Sequence, residues 1–393
     1  MYTDLASYYH RWYHPKPVLV TPERREELRT LHRVLYRAVE RLVTTDWRPV
    51  AERWGFSEKE KAILEEQARH PFRAGTWRPD YLIGADGSLK ICEITSRFFA
   101  HGIFMSWFGD RFARSFLERE FPDLPHRSRF AEMMDYMLGL VGDRERIFVL
   151  KSADKTNEIR LYKRFYEAHG KTVTVLEADE IEPRMAEWSD GACLLGALNQ
   201  KDILSLKDRT LQAMIEARMI SDFRNIFLIH DKRFMTRWFE DGFLSGPDAG
   251  FLRAHAIRTW DTADPSSAAA VADAIRHKDG YIFKPARLGK SEGVIAGPLT
   301  SPEAWTALWE SSPKGILQPF LRQRPFPTVW EGTPFDDYLC GMMLCVDDKF
   351  FDSGYFRGSS LPVTNVGDDR KAAVLHASDA EETALLAPYC DIL

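Results

Sequence analysis

The chain is 393 residues long and 45% hydrophobic, enough for two or three domains with substantial cores. Its formal net charge of −5 shows no global basic excess, so nucleic acid is not an obvious partner. No apolar run approaches the roughly 20 residues that a membrane span needs, and the first residues contain no apolar core of a secretory signal. The five cysteines are scattered without a CxxC pair, which favours a reducing compartment. These features predict a soluble, cytoplasmic, mixed α/β protein.

Residues 1–75 predict a helical N-terminal segment. Thr21 followed by Pro22 is a typical helix start, and apolar residues then repeat at helical spacing as far as Leu42. Ser57 and Glu60 have the spacing of a capping box, which predicts a second helix beginning there.

The stretch 76–95 predicts a β-hairpin, because two apolar runs flank the turn sequence Asp-Gly at 86–87. Since a hairpin returns its ends to one place, we expect Arg78, Asp80 and Glu93 to converge. Carboxylates held close together repel unless a cation lies between them, and oxygen ligands of this kind suit Mg²⁺. The alternative is an ordinary surface hairpin with a salt-bridged rim.

Residues 76–140 combine this hairpin with a predicted helical run. Arg97 and His101 lie just past Glu93 and are further candidates for ligand contact. They stay candidates, and the alternative is a structural role, since a lone histidine in a loop is more often structural.

Residues 141–230 alternate between predicted strands and helices. Short apolar runs at 146–150, 172–176 and 192–196 are separated by helical segments, which is typical of a small parallel-sheet domain. Ligands of such sheets bind at the carboxyl ends of the strands, so this is the predicted substrate domain. The next segment, 226–232, predicts a strand ending in a charged turn, where Lys232 is either a solvated helix cap or a ligand contact.

The stretch 281–294 predicts a strand followed by a polar loop that contains Gly289, Ser291 and Gly293. Glycines let backbone N–H groups approach an anion closely, and Lys284 on the strand adds a positive charge. The loop matches neither GxxxxGK[ST] nor GxGxxG. A glycine-containing hairpin without a ligand is the alternative.

Two polar side chains follow on later strands. Gln318 lies on the short strand 315–321, which either lines an adenine pocket or is a linker strand. Arg357 ends a predicted hairpin of strands 338–346 and 350–357 and is a plausible anion contact. The remainder, from about residue 376, predicts a short acidic helix and a tail.

Together these motifs resemble the ATP-grasp ligases. RPD at 78–80 with EIT at 93–95 is similar to the R-x-D…E-x-N signature, and Glu93 follows Asp80 by 13 positions, as in D-alanine–D-alanine ligases. KPARLGKSEG at 284–293 is similar to the phosphate loop KPSREGSSVG of those enzymes, and HDK at 230–232 looks like the family's first nucleotide lysine.

The order of these motifs is unusual, because the hairpin precedes the phosphate loop. This circularly permuted order resembles eukaryotic-type glutathione synthetases and glutathionylspermidine-synthetase-like proteins. The resemblance implies an α/β (α+β) ATP-grasp fold, permuted, with a Rossmann-like parallel-sheet substrate domain. Residues 231–375 become its nucleotide-binding lid and core, and 376–393 a C-terminal tail.

The resemblance also implies a role for individual residues toward ATP and Mg²⁺. Lys232 and Lys284 contact the ATP phosphates, and Arg78 stabilises the transferring phosphoryl group. Beside these, Gln318 is a candidate for the nucleotide pocket and Arg357 a candidate catalytic contact for the carboxylate or the acyl phosphate. The loop from Arg287 to Gly293 closes over the phosphates, with Arg287, Gly289, Ser291 and Gly293 as its matching positions. Asp80, Glu93 and Thr95 bind the metal. Thr95 departs from the usual asparagine, and Leu288 from the usual glutamate.

The favoured hypothesis is an ATP-dependent ligase. It joins a small-molecule carboxylate, an amino acid or small peptide by family analogy, to an amine through an acyl phosphate. The alternatives are an ATP-grasp kinase or a non-catalytic nucleotide-binding protein, both favoured by Thr95, and an α/β protein without nucleotide. Dimerisation is an expectation from the family alone.

Overall fold

The computed structural model describes residues 14–96, 102–153, 157–289, 291–330, 332–364 and 370–393. Among these residues, no helix combines the length and the apolar character that a membrane crossing requires. The cysteines at positions 92, 193, 340, 345 and 390 are all buried and unbridged.

The helices begin at the capping signals that the sequence predicts. Thr21 accepts a hydrogen bond from the Arg24 amide (3.3 Å) at the start of the first long helix, and Ser57 with Glu60 forms the predicted capping box. The α-helices are α1 (Pro22–Arg41), α2 (Trp47–Arg53), α3 (Glu58–Gln67), α4 (Ile103–Glu120), α5 (Phe130–Val141), α6 (Asn157–Ala168), α7 (Ala178–Ile181), α8 (Met185–Trp188), α9 (Gln200–Ser205), α10 (Asp208–Glu216), α11 (Phe234–Arg237), α12 (Gly246–His255), α13 (Ala268–Arg276), α14 (Pro302–Glu310) and α15 (Ala380–Leu386).

The strands form separate sheets whose members come from distant parts of the chain. The strands are β1 (Val18–Val20), β2 (Thr76–Ile83), β3 (Leu89–Thr95), β4 (Arg146–Lys151), β5 (Thr172–Glu177), β6 (Cys193–Ala197), β7 (Trp260–Asp261), β8 (Tyr281–Pro285), β9 (Ile295–Ala296), β10 (Gly315–Pro319), β11 (Pro325–Trp330), β12 (Thr333–Val346), β13 (Lys349–Ser359), β14 (Arg370–Ala372), β15 (Val374–His376) and β16 (Asp391–Ile392). Helices and sheets of both parallel and antiparallel type are present, so the predicted α/β class is confirmed.

The largest sheet is antiparallel and has the order β14-β13-β12-β2-β3, with β11 pairing to β12. The predicted hairpin forms its β2–β3 edge, and Gly87 at the turn has a φ of 79°. Strand β2 pairs with β12, which lies far along the chain, so that Asp80 is opposite Met342. Buried apolar side chains such as Tyr81, Ile91 and Phe356 connect this sheet to the main core.

The parallel sheet that the sequence predicts is present. Strands β4, β5 and β6 are parallel in the order β5-β4-β6, with α6 and α7 among the helices along this part of the chain. A second antiparallel sheet, β7-β10-β8-β9, carries Lys284 and Gln318. Ile316 lies opposite Lys284 and Gln318 opposite Ile282, so all four side chains share one face.

The strand predicted at 226–229 is wrong. Residues Asn225–Ile229 form a π-helical turn in which every residue is buried. A short apolar run fits a buried helical turn as well as a strand, and only its surroundings decide between them.

The two ends of the described chain meet in a small parallel sheet, β15-β1-β16. The helix expected after residue 376 is present as α15, and the residues beyond it add β16, which pairs with β1 in register Val18 to Asp391. The domain boundaries expected from the sequence stay a prediction.

Candidate functional site

The hairpin brings its charged ends together as expected. Across β2 and β3, Asp80 lies opposite Glu93 and Arg78 opposite Thr95. The register shifts immediately after Asp80, so a bulge occurs where the acidic pair sits. Directly opposed residues of an antiparallel pair project from the same face, and these four side chains therefore line one surface.

Asp80 is the centre of a buried ion cluster. Both of its carboxylate oxygens accept hydrogen bonds from Arg78, from Nε at 2.6 Å and from Nη2 at 2.9 Å. Arg357 on β13 donates to the same carboxylate at 2.7 Å. The side chain of Asp80 is only 1% exposed, so its charge is balanced by these guanidinium groups rather than by water.

The cations of this cluster are held firmly in their charged forms. Burial alone would lower the pKa of Arg78 and of Arg357, but the neighbouring Asp80 carboxylate raises the pKa of each above its ordinary value. Arg357 Nη2 also contacts the Cys340 thiol at 3.5 Å, and Arg78 Nη2 contacts the Thr95 hydroxyl at 3.4 Å.

Gly102 makes room for the Arg78 side chain. Its φ of +88° is a conformation that other residues adopt at a cost, and a Cβ atom at this position would lie 2.9 Å from Arg78 Nη1. Its amide donates to Glu158 at 2.8 Å, which fixes the start of α4 beside the cluster.

Two lysines from different segments approach Glu93, the second carboxylate of the hairpin. The Lys232 ammonium lies 3.2 Å from Glu93 Oε1, and its side chain is 3% exposed. Lys284 on β8 donates to the backbone carbonyl of Cys92 at 3.1 Å, one residue before Glu93. The structure thus brings the two predicted nucleotide lysines to the strand that carries Glu93.

These lysines keep Glu93 ionised. Burial would raise the pKa of Glu93, but Lys232 first, then Lys284, His230 and Arg357, lower it to about 2. The Glu93 side chain is 25% exposed, so one side of this carboxylate faces outward from the cluster.

The predicted phosphate loop folds back over the same region. The Ser291 hydroxyl donates to the Thr364 carbonyl at 3.0 Å, and the Glu292 amide donates to the Gly289 carbonyl at 3.1 Å. At Gly293, with a φ of +68°, an added Cβ would lie 2.8 Å from the Pro285 ring. The loop is therefore closely packed on its own strand.

Arg287, by contrast, makes its hydrogen bonds away from the hairpin. Its guanidinium donates to Asp231 at 3.1 Å and to Glu60 at 2.6 Å, and it lies over the Phe56 ring at 4.5 Å. The motif HDK at 230–232 predicts a ligand contact for the lysine, whereas the contacts that Asp231 and Glu60 make with Arg287 were not predicted. No signal in the sequence pointed to these contacts.

Gln318 is completely buried and has one polar atom left over. Its Nε2 donates to the Thr259 hydroxyl at 2.9 Å, and that hydroxyl donates to the Ile257 carbonyl at 2.9 Å. Since the hydroxyl proton is used there, the amide nitrogen must face Thr259, and Oε1 is left as a buried acceptor without a partner. A ligand that offers an N–H donor, such as an adenine amine, fits this atom.

The charges of the cluster suit a polyphosphate. Four cations, at positions 78, 232, 284 and 357, face two carboxylates, at positions 80 and 93, an excess of two positive charges. The oxygen donors of Asp80, Glu93 and Thr95 also suit Mg²⁺ in type. Both Asp80 oxygens are bonded to arginines, however, and within the described ranges no group of three or more His, Cys, Asp or Glu side chains is arranged for a metal.

The remaining predicted contacts fall on residues that the structure does not describe. Arg97 and His101 lie outside the described residues, as does Lys290 of the phosphate loop. The metal ligands and the nucleotide contacts therefore stay predictions at the level of individual residues.

Comparison with known proteins places these motifs in a family context. A family model described as the AnkG N-terminal domain matches residues 29–228. A curated protein of Aspergillus thermomutatus, named ATP-grasp enzyme ankG, is 23% identical, and the match covers 82% of this chain and 79% of that protein. A solved structure from Methylobacillus flagellatus KT, described as a gamma-glutamylcysteine synthetase, is 12% identical with a TM-score of 0.39, covering 87% of this chain and 88% of that one. The resemblance to ATP-grasp proteins is confirmed by the curated relative.

Proposed function

The chain belongs to the AnkG N-terminal domain family, and from this premise we propose that it is an ATP-dependent carboxylate–amine ligase. The carboxylate of one substrate takes the terminal phosphoryl group of ATP to form an acyl phosphate. An amine then attacks the acyl carbon, an amide forms, and ADP and phosphate are released. The observation that carries this proposal is the convergence of four cations on the two acidic hairpin ends.

Lys232 and Lys284 bind the ATP phosphates. Both ammonium groups already lie at the strand of Glu93, and such point charges suit phosphate groups. Phosphoryl transfer needs positioning and charge neutralisation more than covalent help from the protein. The orphan acceptor of Gln318 lies on the same face of the sheet as Lys284, which supports an adenine pocket there.

Arg78 and Arg357 stabilise the transferring phosphoryl group. In the described state both guanidinium groups are bonded to Asp80, so a phosphate oxygen competes with that carboxylate for them. When Arg357 turns from Asp80 to the phosphate, the oxygen that it shares with Arg78 loses one of its two donors, and Asp80 keeps both hydrogen bonds from Arg78. Guanidinium groups suit this exchange because they bind carboxylates and phosphates with the same fork of donors.

Asp80, Glu93 and Thr95 are the residues that hold Mg²⁺ in this proposal. The metal, when bound, neutralises charge on the phosphates during transfer. Glu93 suits the role best, because its pKa of about 2 keeps it ionised at every physiological pH. Thr95 offers a hydroxyl where asparagine is usual, a shorter donor that favours a water-bridged contact.

The substrates bind between the parallel sheet of β4, β5 and β6 and the hairpin. Carboxyl ends of parallel strands are the usual binding edge, and an amino acid or small peptide is the substrate class by family analogy.

We also propose the circularly permuted motif order. Its support is that β2 and β3 join the same sheet as β12 and β13 although they come first in the chain.

A second candidate function is nucleotide binding without ligase turnover, or phosphoryl transfer to a hydroxyl. The observation in its favour is that the Thr95 hydroxyl contacts Arg78 while both Asp80 oxygens are bonded to arginines. That arrangement holds fewer free metal ligands than the asparagine form of the motif.

Hydroxylamine distinguishes these functions. The purified chain is incubated with Mg-ATP, pools of amino acids and small carboxylic acids, and hydroxylamine as the amine. A ligase gives ADP together with an acyl hydroxamate, whereas ADP without hydroxamate indicates a kinase, and binding without ADP indicates a non-catalytic protein.

The matched variants are Lys284→Gln and Lys314→Gln. Lys284→Gln should abolish ADP formation because it removes one phosphate-binding charge from the cluster. Lys314 is an exposed lysine just before β10 and serves as the control, with full activity expected. Equal turnover of both variants would contradict the proposed role of the cluster.

A further inference from the structure

We propose that Glu60 and Asp231 are positioning residues that act through Arg287. Together they hold loop residues 286–288 against Lys232, so that the helical segment near the N-terminus sets how tightly the nucleotide is held. This inference rests on the proposed function, because it concerns the placement of an ATP-binding lysine.

The loop is bonded to the lysine at two points. The backbone amide of Lys232 donates to the Ala286 carbonyl at 2.8 Å, and its ammonium donates to the Leu288 carbonyl. The lysine is thus held by residues on both sides of Arg287. Any displacement of the loop moves the ammonium group relative to Glu93.

Arg287 supplies the third point of attachment. Its side chain runs to Asp231 at 3.1 Å and to Glu60 of α3 at 2.6 Å, and stacks on Phe56 at 4.5 Å. The Asp231 side chain is 0% exposed and that of Glu60 is 5% exposed. An ion pair with such buried acceptors is costly to break by removing one partner, because the other charge is left without compensation.

Asp231 extends this network to a second arginine. Arg233 donates to both Asp231 oxygens, at 2.9 Å and 2.7 Å, lies over the Trp54 ring at 4.9 Å and donates to the Trp54 carbonyl at 2.9 Å. Residues 54–60 therefore contact both of the arginines that pair with Asp231. Lys232 lies between Asp231 and Arg233 in the chain, which makes its position depend on the N-terminal segment.

The variant that isolates this role is Glu60→Gln. Glu60 also accepts the Ser57 amide and hydroxyl in the capping box at 2.7 Å and 2.8 Å, and glutamine serves equally well in such a box. The substitution therefore removes the charge opposite Arg287 while keeping the helix start. Glu65→Gln is the control, since Glu65 lies on the same helix and pairs with exposed Arg48.

The experiment combines hydrogen exchange without nucleotide and Mg-ATP titration of each variant. We expect Glu60→Gln to raise amide exchange in residues 286–289 and to weaken Mg-ATP binding at least about fivefold, as residues that modulate a site without touching its ligand can do. The KM for ATP should rise while kcat changes less than about twofold, because the transferring groups are untouched. Glu65→Gln should match the wild type in every measurement.

Each other result overturns a specific statement. Unchanged exchange in Glu60→Gln would overturn the network, and raised exchange with unaltered Mg-ATP affinity would overturn its role in positioning. Phe56→Leu, which removes the ring beneath Arg287 together with its contact to Trp54, repeats the comparison if Glu60→Gln melts at a much lower temperature. Failure of the wild type to bind Mg-ATP would overturn the proposed function, while the exchange comparison would still report on the network.

Discussion

Substituting Asp80 by asparagine removes the charge on which two buried arginines depend. Arg78 donates to both Asp80 oxygens and Arg357 to one of them, with side chains 8% and 14% exposed. Asparagine keeps one acceptor and turns the other into a donor that faces a guanidinium N–H. Removing one partner from a buried ion pair costs about 3–5 kcal/mol, and we expect about 3 kcal/mol here because Arg357 can recover some hydration.

Thermal and urea unfolding measure this loss. For a chain of this length about 3 kcal/mol corresponds to a fall in melting temperature of several degrees. Inorganic tripolyphosphate should restore more stability to Asp80→Asn than to the wild type, since the anion takes the place of the missing carboxylate beside Arg78 and Arg357. The matched control is Asp348→Asn, whose exposed pair with Lys349 should contribute less than about 1 kcal/mol.

The reasoning fails if Asp80→Asn unfolds at the same urea concentration as Asp348→Asn. It fails in a different way if the variant is destabilised but tripolyphosphate stabilises it no more than the wild type. The first result would mean that the arginines do not depend on Asp80, and the second that the cluster is not an anion site.

Three further predictions follow from the same geometry. The lowered pKa of Glu93 contributes stability that is complete above the unfolded value near 4.5 and is lost as the pH falls toward 2. In urea unfolding at decreasing pH, the free energy of unfolding of Glu93→Gln should therefore fall less steeply than that of the wild type. Parallel curves would contradict this. Gln318→Met removes the unsatisfied acceptor together with the hydrogen bond from Nε2 to Thr259, and because these two effects oppose each other we expect stability to change by less than about 1 kcal/mol. The substitution should weaken ATP binding while tripolyphosphate binding is unaltered in calorimetry, and equal loss for both ligands would argue against an adenine contact. Gly102→Ala should destabilise the chain by about 1–3 kcal/mol more than Gly55→Ala in thermal melts, because the backbone strain of a positive φ is common to both and only at Gly102 does the added Cβ crowd Arg78; equal losses would leave backbone strain alone as the cause.

The hairpin could be predicted from the sequence because its signals are local. The turn at 86–87 fixes the pairing, and pairing alone places Asp80 opposite Glu93 and Arg78 opposite Thr95. The parallel sheet could be predicted in the same way, because its strands are short apolar runs in the sequence. In these cases the residues that matter are near one another in the chain.

The partners of the hairpin could be named only through the family resemblance. Nothing local in the sequence shows that Arg357 reaches Asp80 or that Lys232 reaches Glu93, since each contact joins segments more than a hundred positions apart. For the same reason the Arg287 contacts with Glu60 were not foreseen. The motif suggested a phosphate contact for Arg287, whereas its neighbours in space include an acidic helix start.

The prediction of a strand at 226–229, where the structure has a turn, failed for a complementary reason. The residues of this turn are all apolar except Asn225, and a run that is buried on every side has no period to distinguish strand from helix. Asn225 itself accepts the Ser96 hydroxyl at 2.8 Å, a contact that ties the turn to the end of β3. The turn therefore fixes the position of Lys232, which follows it by a few residues, and a straight strand would place this lysine differently.

The distribution of the cluster along the chain makes the two halves of the site interdependent. Residues 29–228, which the family model matches, supply Asp80 and Glu93, while Lys232, Lys284 and Arg357 all lie beyond them. Without the later segments the two carboxylates would keep only Arg78, and without the earlier one the lysines would face each other with no counter-charge. Because a buried charge without a partner is strongly unfavourable, neither half can hold its side of the site alone. A nucleotide that binds the cations therefore acts on both halves at once, and the Glu60–Arg287 contact is one ion pair through which the N-terminal helices take part.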